Sequence, residues 1–440
     1  MKKVNWIFIL VLFVACDNSL DINDEWVDIP VIYAVLNSGT QEDADGGNFG
    51  TTIPSIDFNF DNDQDADLNY MHFVRVQKSF LGSSSAYSYT SIQDSIYYNP
   101  DDLSVWVEVF DPNYSGSVED VQIPLLRVDG LQLEELNLLK SQGIFNSDAH
   151  YLYRFPSETP NISDLCQGNC DDVSRVYKIF VLNHLTGDTT FAQTNVVSPI
   201  KMTRPKPTGS VSVLRFGLDV PLSIEIKPSK NAKMYAVSIR FNYLEQNRDD
   251  YLYDVSVGNI LPTTGVNSKY VDWTLSEEIA TEQQLLGLTN TTVKKIIYGS
   301  QFFEFLKTQV SEQSLSSPDF YRYPINTLYQ GTHNGVTAGV YHRCVDVNIT
   351  AVNSELYTYL NANAPSVGLN QERPEYNNVQ NGIGHVSARS VLNMRNLRID
   401  QSTMDSLSFG QVTKKLNFAC YNTLGTGGVV VDFGFDCEEN

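Results

Sequence analysis

Four carboxylates in the N-terminal third of the chain stand at alternating positions of a polar stretch. Their spacing, one, three, five and seven, is the spacing with which a calcium loop surrounds a cation that prefers oxygen ligands. Ala66 stands where such a loop has its tight-turn glycine, and His72 stands where a bidentate glutamate is expected. Calcium is therefore the one candidate cofactor, and the alternative is a solvated acidic loop that discourages edge pairing. The four candidate ligands are Asp61, Asp63, Asp65 and Asp67.

Cysteines supply the second candidate chemistry. Cys166 and Cys170 are close enough in sequence to close a small loop, and we expect a disulfide between them in an oxidising compartment. A zinc pair is the alternative, although no histidine or further cysteine flanks them at metal-ligand spacing. A bond from Cys420 to Cys437 would fix the C-terminal tail and leave Cys344 free. A bond from Cys344 to Cys437 is the competing arrangement.

Cys16 belongs to a different pattern. Lys2 and Lys3 precede an apolar run that is too short to span a bilayer as a mature helix, and residues 12–16 (LFVAC) look like a bacterial lipobox. We interpret residues 1–15 as a lipoprotein signal peptide, Cys16 as the lipidated residue and the acidic residues 16–26 as a flexible tether. The alternative is an ordinary secretory signal in which the cysteine is incidental.

No pattern of catalytic residues accompanies these features. The six histidines are dispersed, and the sequence has no Gly-x-Ser-x-Gly elbow, P-loop or dinucleotide fingerprint. An acidic chain offers many carboxylates for glycoside hydrolysis, but nothing singles out a pair of them. We therefore expect a protein that is not an enzyme and has no catalytic residue.

A group of four tyrosines lies in a polar, Ser-rich stretch. Exposed tyrosines of this kind stack on sugar rings or anchor partner proteins. In a β-rich domain the commoner place for such residues is the core or a strand edge, and we favour that interpretation. The four are Tyr87, Tyr89, Tyr97 and Tyr98.

Charge and length limit the class of protein. The net charge of −22 argues against nucleic acid or an anionic membrane surface as the partner, so membrane attachment must come from the lipid on Cys16. Without the first 15 residues, about 425 remain, which is more than one hydrophobic core usually serves. We therefore expect two or three domains.

Alternating apolar and polar residues predict strands along most of the chain. The same patterns predict short helices at 131–142 and 354–360 and a Pro-rich linker at 198–207. The predicted fold is mainly β with a helical insertion, arranged as two β-sandwich domains of immunoglobulin or fibronectin III type. The predicted strands are 27–36, 71–80, 104–110, 176–183, 190–197, 222–226, 235–243, 341–350, 388–399 and 429–435.

The predicted domains divide at the Pro-rich linker. The N-terminal β domain covers residues 27–200 and contains an Asp-rich insertion at 37–70. The C-terminal β domain covers residues 208–440 and contains the helical insertion at 274–311, which opens on a capping-box pattern. A connection as long as 37–70 is unusual, and such loops tend to be mobile or functional.

Three sequence blocks resemble a known family. Residues 31–36 and 73–82 are similar to the opening of an uncharacterised family of Bacteroidota outer-membrane lipoproteins, and residues 374–384 and 387–389 are similar to its end. His385 departs from the pattern, since an aromatic or aliphatic residue is expected there. The resemblance identifies no catalytic residue. It implies a place near TonB-dependent receptors or surface machinery.

Two further features agree with this resemblance. The acidic residues after Cys16 loosely resemble the surface-export signal of such lipoproteins, so we expect outward exposure on the outer membrane rather than retention in the periplasm. Three short motifs match the sequence at which Bacteroidota glycosylate exported proteins, at Ser95, Thr189 and Ser406.

The function that the sequence favours is a lipid-anchored binding or assembly subunit of the outer membrane. Its expected partner is an outer-membrane protein complex or TonB-dependent receptor, contacted through loops such as residues 37–70. A surface glycan-binding lipoprotein that uses exposed aromatic residues is the alternative.

Overall fold

The structure is a computed structural model of the 440-residue chain. It describes residues 29–37, 40–43, 72–79, 96–110, 122–135, 138–139, 150–156, 176–205, 213–217, 221–250, 266–275, 292–324, 332–333, 336–337, 345–364, 376–423 and 431–434.

Strands dominate the described residues. Those of the N-terminal half are β1 (Pro30–Asn37), β2 (Thr40–Asp43), β3 (Phe73–Lys78), β4 (Leu103–Phe110), β5 (Ile123–Pro124), β6 (Leu126–Asp129), β7 (Tyr151–Arg154), β8 (Val176–Asn183), β9 (Thr189–Asn195), β10 (Lys201–Arg204) and β11 (Val213–Leu214). Those of the C-terminal half are β12 (Leu222–Lys227), β13 (Met234–Asn247), β14 (Val266–Leu275), β15 (Val293–Ile297), β16 (Phe320–Tyr323), β17 (Thr332–His333), β18 (Val336–Thr337), β19 (Val345–Val352), β20 (Val379–Gln380), β21 (Ile383–Ile399), β22 (Cys420–Thr423) and β23 (Val431–Gly434).

Four α-helices lie between these strands in the described part of the chain. They are α1 (Gly130–Glu135), α2 (Gly299–Gln309), α3 (Ser354–Ala362) and α4 (Gln401–Phe409). Side-chain N-caps stabilise the first turns of α3 and α4. Asn353 accepts a hydrogen bond from the Leu356 amide at 3.1 Å, and Asp400 accepts one from the Thr403 amide at 3.0 Å. None of these helices is long and apolar enough to cross a bilayer.

The largest sheet, which we call the central sheet, has 11 strands. Its main order is β14-β13-β19-β21-β1-β3-β7-β6, while β2 and β11 pair with β21 and β16 pairs with β13. A second sheet of five strands has the order β20-β9-β8-β4-β5, and a third has the order β10-β12-β15. β1 links N-terminal and C-terminal segments in one sheet, because it pairs antiparallel with β3 and parallel with β21.

A glycine makes the β1–β21 pairing possible. Gly384 has φ of +120°, and a Cβ placed on it would lie 2.1 Å from the Ile32 carbonyl oxygen. Only a residue without a side chain tolerates both conditions.

The first core lies between the central sheet and the five-stranded sheet. Alternation in β4 and β8 places every second side chain inward, so that Val105 and Val107 meet Ile179 and Val181. Opposite them, Ile32 and the other inward residues of β1, β3 and the first part of β21 close the layer. Burial of these alternating aliphatic faces drives the packing of the two sheets.

The second core lies between the other half of the central sheet and the three-stranded sheet. Its residues come from β12, β13, β15, β19 and the last part of β21, together with α2 and α4. Phe302 of α2 stacks on Phe216 at a centroid distance of 4.0 Å and meets Phe241 of β13 edge-on. β21 contributes Ala388 to the first core and Leu392 to the second, so one strand serves both cores.

The prediction of a mainly β fold is confirmed, and several predicted elements match. The predicted strands 27–36 and 71–80 correspond to β1 and β3, which pair with each other, and the predicted strands 176–183 and 190–197 correspond to β8 and β9, which form a hairpin. Strands from both predicted domains share two sheets, since β1 pairs with β21 in the central sheet and β9 pairs with β20 in the five-stranded sheet. The segments 27–200 and 208–440 therefore do not form separate sheets.

Two predicted segments differ from the structure. Residues 201–204 of the predicted linker form β10, because Ile200 and Met202 alternate with polar neighbours and are buried in the second core. Within the predicted helical insertion 274–311, residues 293–297 form β15 against β12, and only α2 is helical among its described residues. Val293 and Ile297 are β-branched and face the second core, which favours a strand.

Candidate functional site

A cleft of about 510 Å³ opens beside β4, on the side away from β8, and we call it the edge cleft. β5 covers only part of this strand, pairing Pro124 with Trp106 before the chain passes at Leu125 into β6 of the central sheet. The edge cleft therefore lies where the two layers around the first core join. Its lining residues are Pro100, Leu103, Ser104, Val105, Trp106, Gln122, Pro124, Leu125, Arg127 and Tyr153.

Tyr153 supplies a buried polar group to the edge cleft. Its side chain is 4% exposed, and its hydroxyl has no hydrogen-bond partner among the described residues. Burial raises the pKa of Tyr153 to about 12, and the positive charge of Arg127 opposes the shift. The phenol therefore keeps its proton at neutral pH and can both donate and accept a hydrogen bond.

Arg127 lies directly opposite Tyr153 in the β6–β7 pairing. Its Nε donates to the Asp129 carboxylate at 3.0 Å, in an ion pair whose two side chains are 43% and 52% exposed. Ser104, also in the lining, contacts the Nε2 of the exposed His184 through its hydroxyl at 2.8 Å. The lining thus contains the Arg127 guanidinium and the Ser104 hydroxyl, while the hydroxyl of Tyr153 is itself inaccessible to solvent.

Trp106 connects the edge cleft to a row of stacked rings on the outer face of the five-stranded sheet. The three rings of this aromatic ladder are Trp106, Phe180 and Phe191, which occupy directly opposed positions on β4, β8 and β9. The first two stack at 5.0 Å with an interplanar angle of 5°, and the second two meet at 5.7 Å. Lys178 covers Phe180 and Phe191 with its Nζ at 4.8 and 4.5 Å.

A second candidate site is an apolar area on the outer face of the central sheet. Tyr33 and Val35 of β1 and Ile383 of β21 share this face, and Leu360 lies on α3 beside it. These four side chains, which we call the sheet-face patch, are 37% to 43% exposed. Contiguous exposed apolar side chains on a folded domain commonly mark a contact surface for another protein.

His385 anchors the helix that borders the sheet-face patch. Its ring stacks on Tyr359 of α3 at a centroid distance of 4.1 Å and lies 6.5 Å from the ring of Tyr33. The imidazole is 4% exposed, its Nε2 has no hydrogen-bond partner among the residues that the structure describes, and burial lowers its pKa to about 4. The neighbouring Ser387 hydroxyl is also buried without a partner, so these two residues do not form a hydrogen-bonded catalytic pair.

Most of the predicted site residues lie outside the described residues. These are the candidate calcium ligands Asp61, Asp63, Asp65 and Asp67, the lipidation residue Cys16, the cysteines Cys166, Cys170 and Cys437, and Ser95. The described residues contain no group of three or more His, Cys, Asp or Glu arranged to hold a metal ion. Calcium binding in the Asp-rich stretch stays a prediction.

Three predicted residues can be placed. Cys420 opens β22 and is disulfide-bonded, and its partner lies outside the described residues. Thr189 begins β9 and is half-buried on the same face as the aromatic ladder. Ser406 lies in α4, where its hydroxyl donates to the Ser402 carbonyl at 2.8 Å.

The predicted tyrosine group is only partly described. Tyr97 and Tyr98 are each 2% exposed, which matches the favoured core interpretation and removes both rings from any sugar-stacking surface. Tyr87 and Tyr89 lie outside the described residues. Sequence reasoning missed Trp106, although its position between two inward-facing valines of a predicted strand already placed it on the outer face.

Comparisons with known proteins give little further information. No protein-family model matches this chain, and no curated protein matches it. Among solved structures, the chain is similar to the BSP domain of a biofilm associated protein, with 8% identity and a TM-score of 0.12 over 74% of this chain and 56% of that one. It is also similar to the B domain of a biofilm associated protein, with 10% identity and a TM-score of 0.12 over 74% of this chain and 82% of that one.

The chain thus spans about half the length of the first of these structures. A TM-score of 0.12 is too low to assign either a shared fold or a function.

Proposed function

We propose that this protein is a lipid-anchored subunit of the outer membrane that acts by binding rather than by catalysis. Cys16 is the proposed anchor, and residues 16–26 are the tether that holds the β-rich part away from the bilayer on the cell surface. The proposed partner is an outer-membrane protein complex or TonB-dependent receptor. The lipobox and the family resemblance support the location, and the sheet-face patch supports the mode of action.

The sheet-face patch is the observation that carries the binding proposal. A sheet face that is exposed to solvent is expected to present polar residues. On β1 and β21, however, the exposed residues Tyr33, Val35 and Ile383 are largely apolar. An outer-membrane protein seated on this patch would bury these side chains and gain the free energy of removing apolar surface from water.

The finer fold that we propose is two β-sandwich domains of immunoglobulin or fibronectin III type. The two separate cores support this arrangement, because each is covered by its own smaller sheet. The domains would be discontinuous in sequence, since β1 and the first part of β21 face the same core.

A crosslinking experiment with matched variants tests the partner. Tyr33→Glu places a carboxylate in the sheet-face patch, and Leu185→Glu places one on a 74% exposed residue in the turn between β8 and β9. After mild crosslinking in cells and affinity purification, we expect an identified outer-membrane protein with the wild type and with Leu185→Glu. Tyr33→Glu should reduce its recovery about tenfold.

Two outcomes would overturn this assignment. Recovery of the lipoprotein alone from wild-type cells would remove the partner, and equal recovery with both variants would remove the sheet-face patch as its site. A Cys16→Ser variant tests the anchor separately, because loss of acylation should release the protein from the membrane fraction.

Glycan binding is a second candidate function, and a specific observation favours it. The aromatic ladder of Trp106, Phe180 and Phe191 lies on the outer face of the five-stranded sheet, and aromatic rings of this kind stack on sugar rings.

A further inference from the structure

Two helices cover the outer face of the central sheet on either side of the sheet-face patch. α3 lies over β21, where Tyr359 stacks on His385. α1 lies over β6 and β7, because its Leu133 packs with Val128 and Leu152 in a separate apolar cluster. This cluster is on the outer face, since the alternate residues of β7 face the first core. β1, which carries two residues of the sheet-face patch, stays partly exposed between the two helices.

The space between these helices matches the width of one more helix. In the order of the central sheet, β7 is three strands from β21 and β6 is four strands from it. At about 4.8 Å per strand, the strands beneath α3 and α1 are therefore about 14–19 Å apart. Two helices with a third between them need about 16–20 Å, since packed helix axes lie about 8–10 Å apart. We call this space over β1 and β3 the interhelical groove.

Arginines border the interhelical groove, and no acidic residue on its strands matches them. On the described strands β1, β3 and β7 and the first part of β21, the charged residues of the outer face are Arg75, Arg154 and Arg389. Arg75 lies directly opposite Tyr33 of the sheet-face patch, and Arg389 lies at the end of the β1–β21 pairing.

This local charge is the reverse of the charge of the whole chain, which has 52 acidic and 30 basic residues. None of the three arginines makes an ion pair within the described part of the chain. A partner with carboxylates at matching positions would therefore complement the groove, and partners with exposed cations there would be repelled.

We propose that the interhelical groove receives an amphipathic helix of the partner protein. The apolar side of this helix rests on the sheet-face patch, and acidic residues beside that side pair with Arg75 and Arg389. Recognition of an amphipathic helix in an apolar groove is a common mode of protein binding. The inference rests on the proposed function, because the partner is the protein that the sheet-face patch binds, and it adds the element and the charge by which that partner is recognised.

Three synthetic peptides of about 20 residues, long enough to form helices, test the proposal. All three carry leucines at helical spacing on one face. The first has glutamates beside this face, the second has lysines in their place, and the third has the glutamates together with a central proline that breaks the helix. We call them the glutamate, lysine and proline peptides.

Binding is measured by fluorescence anisotropy of the labelled peptides. The titrant is the chain without residues 1–15 and with Cys16→Ser, so that no acyl group contributes. We expect saturable binding of the glutamate peptide that weakens at high salt. Binding of the lysine and proline peptides should be weaker by about tenfold or more.

Matched variants locate the contact. Arg75→Glu and Arg389→Glu should each weaken binding of the glutamate peptide about tenfold and strengthen binding of the lysine peptide. Lys227→Glu, which makes the same change of charge at an exposed position of β12, is the control. Val35→Asn should also weaken binding of the glutamate peptide, and Ile296→Asn at an exposed position of β15 is its control. Circular dichroism verifies that every variant is folded.

Four results would overturn the proposal. These are no saturable binding of the glutamate peptide, equal or tighter binding of the lysine peptide, equal binding of the proline peptide, and equal effects of the variants and their controls. The Tyr33→Glu crosslinking experiment is independent of these titrations. An intact crosslink without peptide binding would remove the helix and leave the proposed partner site in place. Peptide binding without a crosslinked protein would support the interhelical groove as a helix site and remove the outer-membrane partner.

Discussion

The two cores differ in how many of their buried polar side chains have hydrogen-bond partners. Beside the second core, the Arg322 side chain is 1% exposed and its guanidinium is matched on several sides. It donates to the Glu245 carboxylate at 2.9 Å, to the carbonyls of Ser311 and Leu416 at 2.9 and 2.6 Å, and to the Ser311 hydroxyl at 2.9 Å. In the first core, the Tyr153 hydroxyl and the Nε2 of His72 have no hydrogen-bond partner within the described part of the chain.

This difference extends beyond single residues. Of the ten buried side-chain nitrogen and oxygen atoms without a partner among the described residues, seven lie on β1, at the ends of β3, on β7 or on the part of β21 that pairs with β1. Two buried tyrosines show the same contrast. The Tyr235 hydroxyl accepts a hydrogen bond from the Ser229 amide, while the Tyr153 hydroxyl has no partner.

The contrast shows that the second core satisfies its buried polar groups, while several of those in and beside the first core are unmatched. A matched polar group fixes geometry at little net cost, and an unmatched one lowers stability. The edge cleft and the sheet-face patch both border the first core. The second core therefore fits the role of a scaffold, and the first core fits the role of the binding region that we propose.

Removing Arg322 should give the largest effect. Arg322→Met leaves the Glu245 carboxylate, whose side chain is 13% exposed, without its close partner and orphans two carbonyl groups. We expect the free energy of unfolding, measured by urea denaturation, to fall by about 3–5 kcal/mol. Arg240→Met is the matched control. It breaks a half-exposed pair with Asp272 and should cost at most about 1 kcal/mol. Equal losses in the two variants would contradict the special role of the buried network.

Acid should destabilise the fold through His72, which packs on Phe155 and Tyr177 of the first core, and through His385, which lies under α3 on the other face of the central sheet. Burial lowers the pKa of both to about 4 in the folded chain, against about 6.5 in the unfolded chain. Between these pH values the unfolded chain binds more protons, so stability falls as pH falls from 6.5 toward 4. At pH 5 each histidine should have cost about 2 kcal/mol relative to pH 7.5.

A variant isolates the contribution of one of these histidines. His385→Phe keeps an aromatic ring against Tyr359 and cannot take up a proton. The decrease in unfolding free energy between pH 7.5 and pH 5 should therefore shrink by about 2 kcal/mol in this variant. The exposed His184, substituted in the same way, is the control. An unchanged pH dependence in His385→Phe would show that this imidazole is not forced to be neutral by the fold.

Tyr235→Phe should have a smaller effect. The substitution removes the acceptor of the Ser229 amide in the turn that joins β12 to β13, and that amide is partly buried. Loss of one partly buried hydrogen bond should lower the free energy of unfolding by about 1 kcal/mol. A stability equal to that of the wild type would mean that water replaces the phenol at no cost, and the contrast between the two tyrosines would then weaken.

Local sequence patterns were enough to find the strands but not to pair them over long distances. The alternation in β4, β8 and β13 shows directly in the residues, because one face of each strand is buried. The pairing of β1 with β21 joins segments about 350 residues apart, and no local pattern specifies such a partner. For the same reason the predicted division at residues 200 to 208 did not anticipate a sheet shared by both ends of the chain.

The candidate sites were harder to predict than the fold. Trp106, Phe180 and Phe191 each occupy an outward position of a predicted strand, but their alignment depends on the register of three strands. Tyr153 lies in β7, a strand of four residues that has no alternation to reveal it. A buried hydroxyl without a partner is a property of the tertiary structure, so the feature that singles out the edge cleft leaves no trace in the sequence.

Tyr153→Phe should have the smallest effect on stability and therefore gives the sharpest test of the comparison. The substitution removes a hydroxyl that makes no hydrogen bond and keeps the ring packed in the first core. Without ligand, we expect the free energy of unfolding to stay within about 0.5 kcal/mol of the wild type or to rise by about 1 kcal/mol. Urea denaturation beside Tyr235→Phe measures this directly. A loss as large as that of Tyr235→Phe would mean that the Tyr153 hydroxyl already has a partner in the folded protein, and the contrast between the two tyrosines would then fail.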